Sequence, residues 1–338
     1  MAYITLNINN FFNNLDIISK QTKSKDKIAL VLKDNAYGHG LIEISTMAQQ
    51  YGIKKAVVQN TDEAQRIKKF FDYILVLADY PKDNDPKIRY TINSIDNIKK
   101  FPKDTKVELK VDTGMHRNGI QIDQLSQAFE MIQKQNLDLE AIFTHHKGAD
   151  ELTSEWYWQN KLFQQLKTDS LELVKKFHFK KLRFHSSNSA SLFRTHNFQE
   201  DMARVGIAVY GCLDMPKSFL TQGFKPVLSL YASKISSRTV PKGAKIGYGS
   251  TYKIEKEEIV SNYDFGYGSG FLRINSNNYI TPQGIQLVGR VSMDNSSFLS
   301  TTKELLIFDN AITASKFAKT ISYEVLTSLK SDLPRKIL

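Results

Sequence analysis

Lys33 closes the apolar run IALVL and is followed at once by DNAYGHG, a stretch rich in turn-forming residues. A lysine at the end of a barrel strand presents its amine at the C-terminal rim, where such folds place their chemistry, and an amine of lowered pKa condenses with an aldehyde. Taken alone, the same position suits an ordinary solvated lysine. Ser189 follows an apolar segment and opens a helical stretch, offering a hydroxyl and free N–H groups to an anion. Gly206 and Ile207 supply a further amide pair in the region after strands 7 and 8, where barrels bind phosphate. Arg117 carries a planar fork suited to a carboxylate, although an isolated arginine usually forms a surface ion pair. By the same standard a lone His145 is structural, and Tyr248 in a strand-like stretch is a packing residue.

These residues need elements to position them. Candidate strands are residues 28–33, 56–59, 73–78, 89–92, 106–111, 140–145 and 182–186, with helical stretches between them, such as those from Leu41 and Gln124. Strands alternating with helices of this length form parallel βαβ units, and an eighth strand near Met202 to Arg204 would close a (β/α)8 barrel. The apolar run GIAVYG, 206–211, reads as a short helix or equally as a strand. After about Leu220 the pattern becomes that of antiparallel strands. The reading is therefore an α/β barrel over residues 1–222 and a mainly β C-terminal domain over 223–338, with residues 1–9 candidates for pairing with the latter. Near the end, residues 314–330 have helical spacing around a break at Ile321 to Tyr323.

With 338 residues the chain is long enough for two domains, at roughly 100 to 200 residues each. Its 41% hydrophobic and 24% charged residues match ordinary globular proteins. The net charge of +11 raises nucleic-acid binding, but the lysines fall in short clusters with acids between them, so a solvated surface is the reading and no nucleic acid is expected. One cysteine, Cys212, excludes an internal disulfide and a multi-cysteine metal site, and no metal is expected. No apolar run approaches the roughly 20 residues that span a bilayer, and no secretory leader is readable, so the expected location is cytoplasmic, without membrane contact.

Several strings, in order along nearly the whole chain, resemble those of alanine racemases, enzymes of the pyridoxal 5′-phosphate (PLP) barrel type. VLKDNAYGHG resembles the lysine signature V-K-A-N-A-Y-G-H-G, with Asp34 in place of alanine; the resemblance implies that Lys33 holds PLP and that Tyr37 donates to its phosphate. ELKVDTGMHRNG resembles L-K-V-D-T-G-M-x-R-x-G, which implies Arg117 beside the substrate carboxylate and Lys110 as an often carbamylated lysine that positions it. FTHHKGADE resembles T-H-F-A-x-A-D-E and implies His145 facing the cofactor and Asp150 along the access corridor, while His146 and Lys147 depart from the pattern. HSSNSASLFR and DMARVGIAVYG imply cofactor contacts from Asn188, Ser189, Gly206 and Ile207, and place Arg204 at the pyridine nitrogen. An arginine there keeps its protons and leaves that nitrogen unprotonated, which favours a simple proton swap over decarboxylation or transamination.

In the β domain, KIGYGSTY implies Tyr248 as the second catalytic base, and FGYGSGF puts Tyr267 at the mouth, with Ser269 where the family has Asp. GRVSMD implies Met293 and Asp294 by the substrate and Arg290 in the corridor. TISYEVLTSL implies Tyr323 as a phosphate contact, with Ser322 replacing proline, and the intervening KELLIFDNAITASK is short for the family. The implied activity interconverts L- and D-alanine by two bases on opposite faces, Lys33 on the D side and Tyr248 on the L side, supplying D-alanine for peptidoglycan. Tyr248, whose free pKa is roughly 10, needs neighbouring positive charge to act as a base. The resemblance further implies a head-to-tail homodimer with shared sites, in which Tyr248 of one subunit links through His145 to Arg204 of the other. Alternatives are a broader or serine-specific racemase, a barrel-type PLP decarboxylase and a non-enzymatic PLP carrier.

Overall fold

The structure, a computed structural model, describes residues 1–195, 197–216, 218–219 and 223–338. Strands β1 (Tyr3–Leu6), β2 (Ile28–Val31), β3 (Lys55–Val58), β4 (Tyr73–Val76), β5 (Ile88–Ile92), β6 (Lys106–Lys110), β7 (Asp138–Phe143), β8 (Arg183–His185) and β9 (Ala203–Val205) occupy the first part of the chain. β2 to β9 form one eight-stranded parallel sheet in the order β8-β7-β6-β5-β4-β3-β2-β9. Its two ends approach each other through the Asp201 amide donating to Phe184 O (3.2 Å) and the Arg204 amide donating to Ser187 O (2.9 Å), so the sheet is a nearly closed barrel. The β2 and β4 residues are all buried, as continuous apolar runs covered on both faces must be.

Helices fill the connections: α1 (Ile8–Thr22), α2 (Lys33–Tyr37), α3 (Leu41–Tyr51), α4 (Thr61–Ile67), α5 (Leu125–Lys134), α6 (Glu155–Lys176) and α7 (Ser189–Arg194). α1 starts where the Asn7 side chain accepts from the Asn10 amide and buries Phe11, Leu15 and Ile18, one stripe at helical spacing.

The rest is mainly β: β10 (Leu228–Val240), β11 (Lys245–Ile246), β12 (Tyr252–Lys253), β13 (Glu258–Tyr263), β14 (Ser296–Phe298), β15 (Glu304–Phe308) and β16 (Arg335–Ile337), with α8 (Ala311–Phe317) and α9 (Ser322–Thr327). The thirteen-residue β10 pairs antiparallel with β1, β13 and β15, and β16 runs parallel to β1. The first strand of the chain is thus in the C-terminal sheet. Gln222, where the sequence reading ends the barrel, lies outside the described residues.

Two local readings need correction. GIAVYG is neither helix nor strand but consecutive turns, closed by Val209 N to Gly206 O (3.0 Å) and Gly211 N to Ala208 O (3.0 Å). The C-terminal break falls at residues 318–321, one turn earlier than the spacing suggested, and Ser322 and Tyr323 already belong to α9.

Candidate active site

Lys33 stands just past β2, at the start of α2, whose inner residues are left-handed: Asp34 (φ 55°, ψ 51°), Asn35 (φ 55°, ψ 45°) and Ala36 (φ 53°, ψ 50°). This conformation costs roughly 1 to 2 kcal/mol per L-residue, least for Asp and Asn, so the surroundings must impose it. They do so from several sides. Asn35 Oδ1 accepts from the Leu41 amide (2.9 Å), and Arg335, next to the chain's end, donates twice to Gly38 O (2.9 and 3.2 Å). A Cβ on Gly38 would lie 2.0 Å from Leu326 O, so only glycine lets α9 pack against this turn.

The turn opens onto a cavity of about 580 Å³ at the C-terminal rim of the barrel. Lys33, Tyr37, Lys110, Arg117, His145, Asp150, Asn188, Ser189, Arg204, Gly206, Ile207 and Tyr323 all line it. Lys33 Nζ lies 3.1 Å from Asp34 Oδ2, a pair the usual alanine would not make. The Tyr37 and Tyr323 ring centroids lie 5.7 Å apart with the planes tilted by 57°, and burial pushes both phenols well above their ordinary pKa, so they remain proton donors. A Cβ on Gly206 would sit 2.9 Å from the Tyr37 oxygen, so the glycine keeps that hydroxyl free to face the cavity. Ser189 Oγ accepts from the Gly206 and Ala208 amides (3.0 and 3.3 Å). Asn188 caps α7, its Oδ1 accepting from the Ser191 amide at 2.9 Å.

The far wall is cationic. Lys110 is 9% exposed, and burial together with Arg117 and Arg204 draws its pKa down to about 8. Burial and the same cations hold His145 well below its ordinary value, so it is neutral. Arg204 donates through Nη1 to His185 Nδ1 (2.5 Å) and His185 O (3.2 Å), and through Nη2 to Thr144 O (2.6 Å) and Ser186 O (3.2 Å). The partner of Arg204 is therefore His185. The link from Arg204 to His145 implied by the resemblance is absent among the described residues, where the Arg204 side chain donates instead to His185, Thr144 and Ser186.

Tyr248, Tyr267, Arg290, Met293 and Asp294 are elsewhere: none lines this cavity. Tyr248 is 67% exposed at the head of a short turn, where Arg290 Nη1 would lie 2.8 Å from a Cβ on Gly249. Tyr267 and Gly268 donate their amides to Ser292 O (3.0 Å) and Met293 O (2.8 Å), which joins both turns to the segment 290–294. Met293 is 57% exposed. Sequence reasoning assigned no role to His185, Glu108, Asn118 or Thr327, the last two of which also line the cavity, nor to Arg273, whose guanidinium lies 6.0 Å from the Tyr267 ring.

The donor set suits one kind of guest. Two protonated phenols and a serine held at turn amides match a phosphate, an amine matches an aldehyde, and an arginine with one N–H unspent matches a ring nitrogen. With the barrel and its β companion, this defines a barrel enzyme of the lysine–aldehyde class. Comparison with known proteins narrows that class: residues 6–214 match the family "Alanine racemase, N-terminal domain" and residues 227–337 match "Alanine racemase, C-terminal domain". The chain belongs to the alanine racemase family. It is 42% identical over 335 residues to the alanine racemase of a Nitratiruptor species, covering 99% of both chains. It also superposes on the Bacillus anthracis alanine racemase solved with bound L-Ala-P (TM-score 0.86, 25% identity, 100% and 95% of the two chains). A histidine racemase from Leuconostoc mesenteroides shares the fold alone (TM-score 0.85, 21% identity, 100% and 98% covered). No helix among the described residues is long and apolar enough to cross a membrane.

Proposed function

We propose that this chain interconverts L-alanine and D-alanine with bound PLP, supplying D-alanine for peptidoglycan in the cytoplasm. One observation carries the reading: Lys33, Arg204, Tyr37 and Tyr323 line a single cavity in a chain matched from end to end by one family. Lys33 would hold the aldehyde carbon, Tyr37, Ser189, Gly206, Ile207 and Tyr323 the phosphate, and Arg204 the ring nitrogen, with His145 and Asn188 lining the ring's surroundings. When bound, PLP supplies an electron sink that makes the substrate's α-proton removable.

The chain's own groups then move that proton. Lys33 takes or returns it on the D face, and Tyr248 does the same on the L face, each contributing roughly a hundred- to ten-thousand-fold. Arg117 holds the substrate carboxylate, and Met293 and Asp294 close around the small side chain. Lys110, with a pKa near 8, has a substantial neutral fraction at cellular pH, the form that combines with carbon dioxide and would then steady Arg117. Since Tyr248 does not line the cavity of its own chain, it serves the cavity of a second copy, with Arg290, Tyr267 and Asp150 along the access path. On this reading the barrel spans residues 1–222 and the β domain 223–338, with β1 lent to the latter.

The test is incubation with PLP and L-alanine in deuterated water, following α-deuterium and the D isomer, with L-serine and L-histidine in parallel. Racemisation of alanine well above the other two is expected. Preference for serine or histidine would move the reading to a different racemase, and loss of carbon dioxide to a decarboxylase.

A further inference from the structure

Below the cavity, the barrel interior holds a layer of charge where such barrels usually pack Val, Ile and Leu. Glu108 is 0% exposed and anchors it. Its Oε1 accepts from Tyr73 Oη (2.6 Å) and Arg183 Nη2 (2.9 Å), and its Oε2 faces His185 Nε2 at 2.9 Å. Arg183 also reaches Glu140 (2.8 Å), which in turn holds Arg89 (2.9 Å). Burial opposes ionisation of Glu108, but His185, Arg183 and Tyr73 more than offset it and bring its pKa to about 2. His185 is pushed to about 4 by burial, against the pull of Glu108 and with the help of Arg204 and Arg183. The pair is thus a carboxylate and a neutral imidazole.

A neutral imidazole has one N–H and one lone pair, and its neighbours decide which nitrogen carries which. Glu108 can only accept, so Nε2 must carry the proton. Nδ1 is then bare toward Arg204, the only arrangement in which the guanidinium can donate to it. That bond and three carbonyls use all four terminal N–H groups of Arg204, leaving Nε–H as the one guanidinium donor without an acceptor among the described residues.

We propose that Glu108 is a positioning residue for the ring-nitrogen end of the cofactor site: by fixing the His185 proton on Nε2 it locks Arg204 in the orientation that leaves Nε–H for the ligand. The proposal rests on the PLP reading only for the identity of that ligand. In Glu108→Gln the amide oxygen still accepts from Tyr73 and Arg183, but the NH2 now faces Nε2. The imidazole proton moves to Nδ1, donor meets donor, and Arg204 is displaced.

The experiment uses the full-length protein with 15N in its histidine rings, the His185 signal being identified from a His185→Asn variant. Wild type is expected to show a protonated Nε2 and a bare Nδ1, and Glu108→Gln the reverse. Glu108→Gln should also bind PLP about tenfold more weakly and lose about 10- to 100-fold in kcat, the range for partners that orient a first contact, with KM for alanine within about twofold. A wild-type proton on Nδ1 overturns the proposal, and so does unchanged PLP affinity in folded Glu108→Gln. If the variant does not fold, the wild-type tautomer alone decides. A protein that racemises nothing would defeat the functional reading while the tautomer still reports on Glu108.

Discussion

The rim of the barrel and the exposed turns of the β domain carry the two halves of one proposed reaction, yet they are built oppositely. At the rim Lys110, Ser189 and Arg204 are buried, and the Lys33 turn is held by Asn35, Arg335 and α9. Tyr248 instead stands in the open on a turn with positive φ at Gly247 (66°), Gly249 (69°) and Ser250 (50°). The rim is preorganised, whereas Tyr248, on a turn packed against Arg290, leaves its own side chain open and lines no part of its own chain's cavity. A buried, self-sufficient half and an exposed, dependent one are what a site shared between identical copies requires.

The largest effects should come from separating the halves. Lys33→Ala removes both the anchor and a base, so activity should fall by at least about a thousandfold. Tyr248→Phe should fall by about a hundred- to ten-thousandfold while PLP stays bound. Mixing the two inactive variants under conditions of subunit exchange should restore roughly a quarter of the activity, since half the dimers are mixed and each regains one complete site. No recovery despite demonstrated exchange would break the comparison, because both bases would then serve one chain or Tyr248 would not be a base.

A second effect sharpens it by pH. All seven histidines fall within residues 39–196, none in the β domain. Burial pushes His39 and His185 down to about 4 and His146 to about 3. The unfolded chain takes up these protons as pH falls through roughly 6.5, but the folded barrel refuses them until about 4, so stability is full above the first value and is lost progressively toward the second. These three groups alone, apart from His145, which shifts the same way, give a slope on the order of 3 to 4 kcal/mol per pH unit near pH 5. The urea midpoint should drop steeply from pH 7.5 to 5, with hydrogen exchange rising first in the barrel strands. Equal acid sensitivity in the β domain would show that the contrast does not reside in the histidines.

How much of this was legible follows the same divide. The barrel strands announced themselves as short β-branched runs between amphipathic stretches, and the eight-stranded barrel with its β companion is the fold observed. The family strings named the rim residues because their spacing is local. The Glu108–His185–Arg204 relay joins three strands distant in sequence, and nothing short-range reports it. A signal was present all the same: in VELKV, Glu108 and Lys110 alternate with apolar neighbours, which puts both on one face of a barrel strand. The left-handed turn after Lys33 was hidden because it is enforced by Arg335 and α9, some 300 residues away in the chain.

The smallest effect concerns Asp34, the departure nearest the reacting amine. Its carboxylate lies 3.1 Å from Lys33 Nζ, but the two side chains are 48% and 33% exposed. Ion pairs so open to water are worth roughly 0.2 to 1 kcal/mol, which corresponds to about one and a half- to fivefold in rate. Asp34→Asn isolates the charge, since asparagine keeps the size and tolerates the left-handed φ of 55° at little cost. Racemisation by Asp34→Asn should therefore stay within about fivefold of wild type, and its melting temperature should be nearly unchanged. Asp34→Ala loses the same charge and adds roughly 1 kcal/mol of backbone strain, so it should melt a few degrees lower at similar activity. If Asp34→Asn instead lost a hundredfold, the amine would depend on this carboxylate far beyond what a hydrated pair supplies. The rim could then no longer count as the self-sufficient half, because its central lysine would rely on an exposed neighbour much as Tyr248 is proposed to rely on a second subunit.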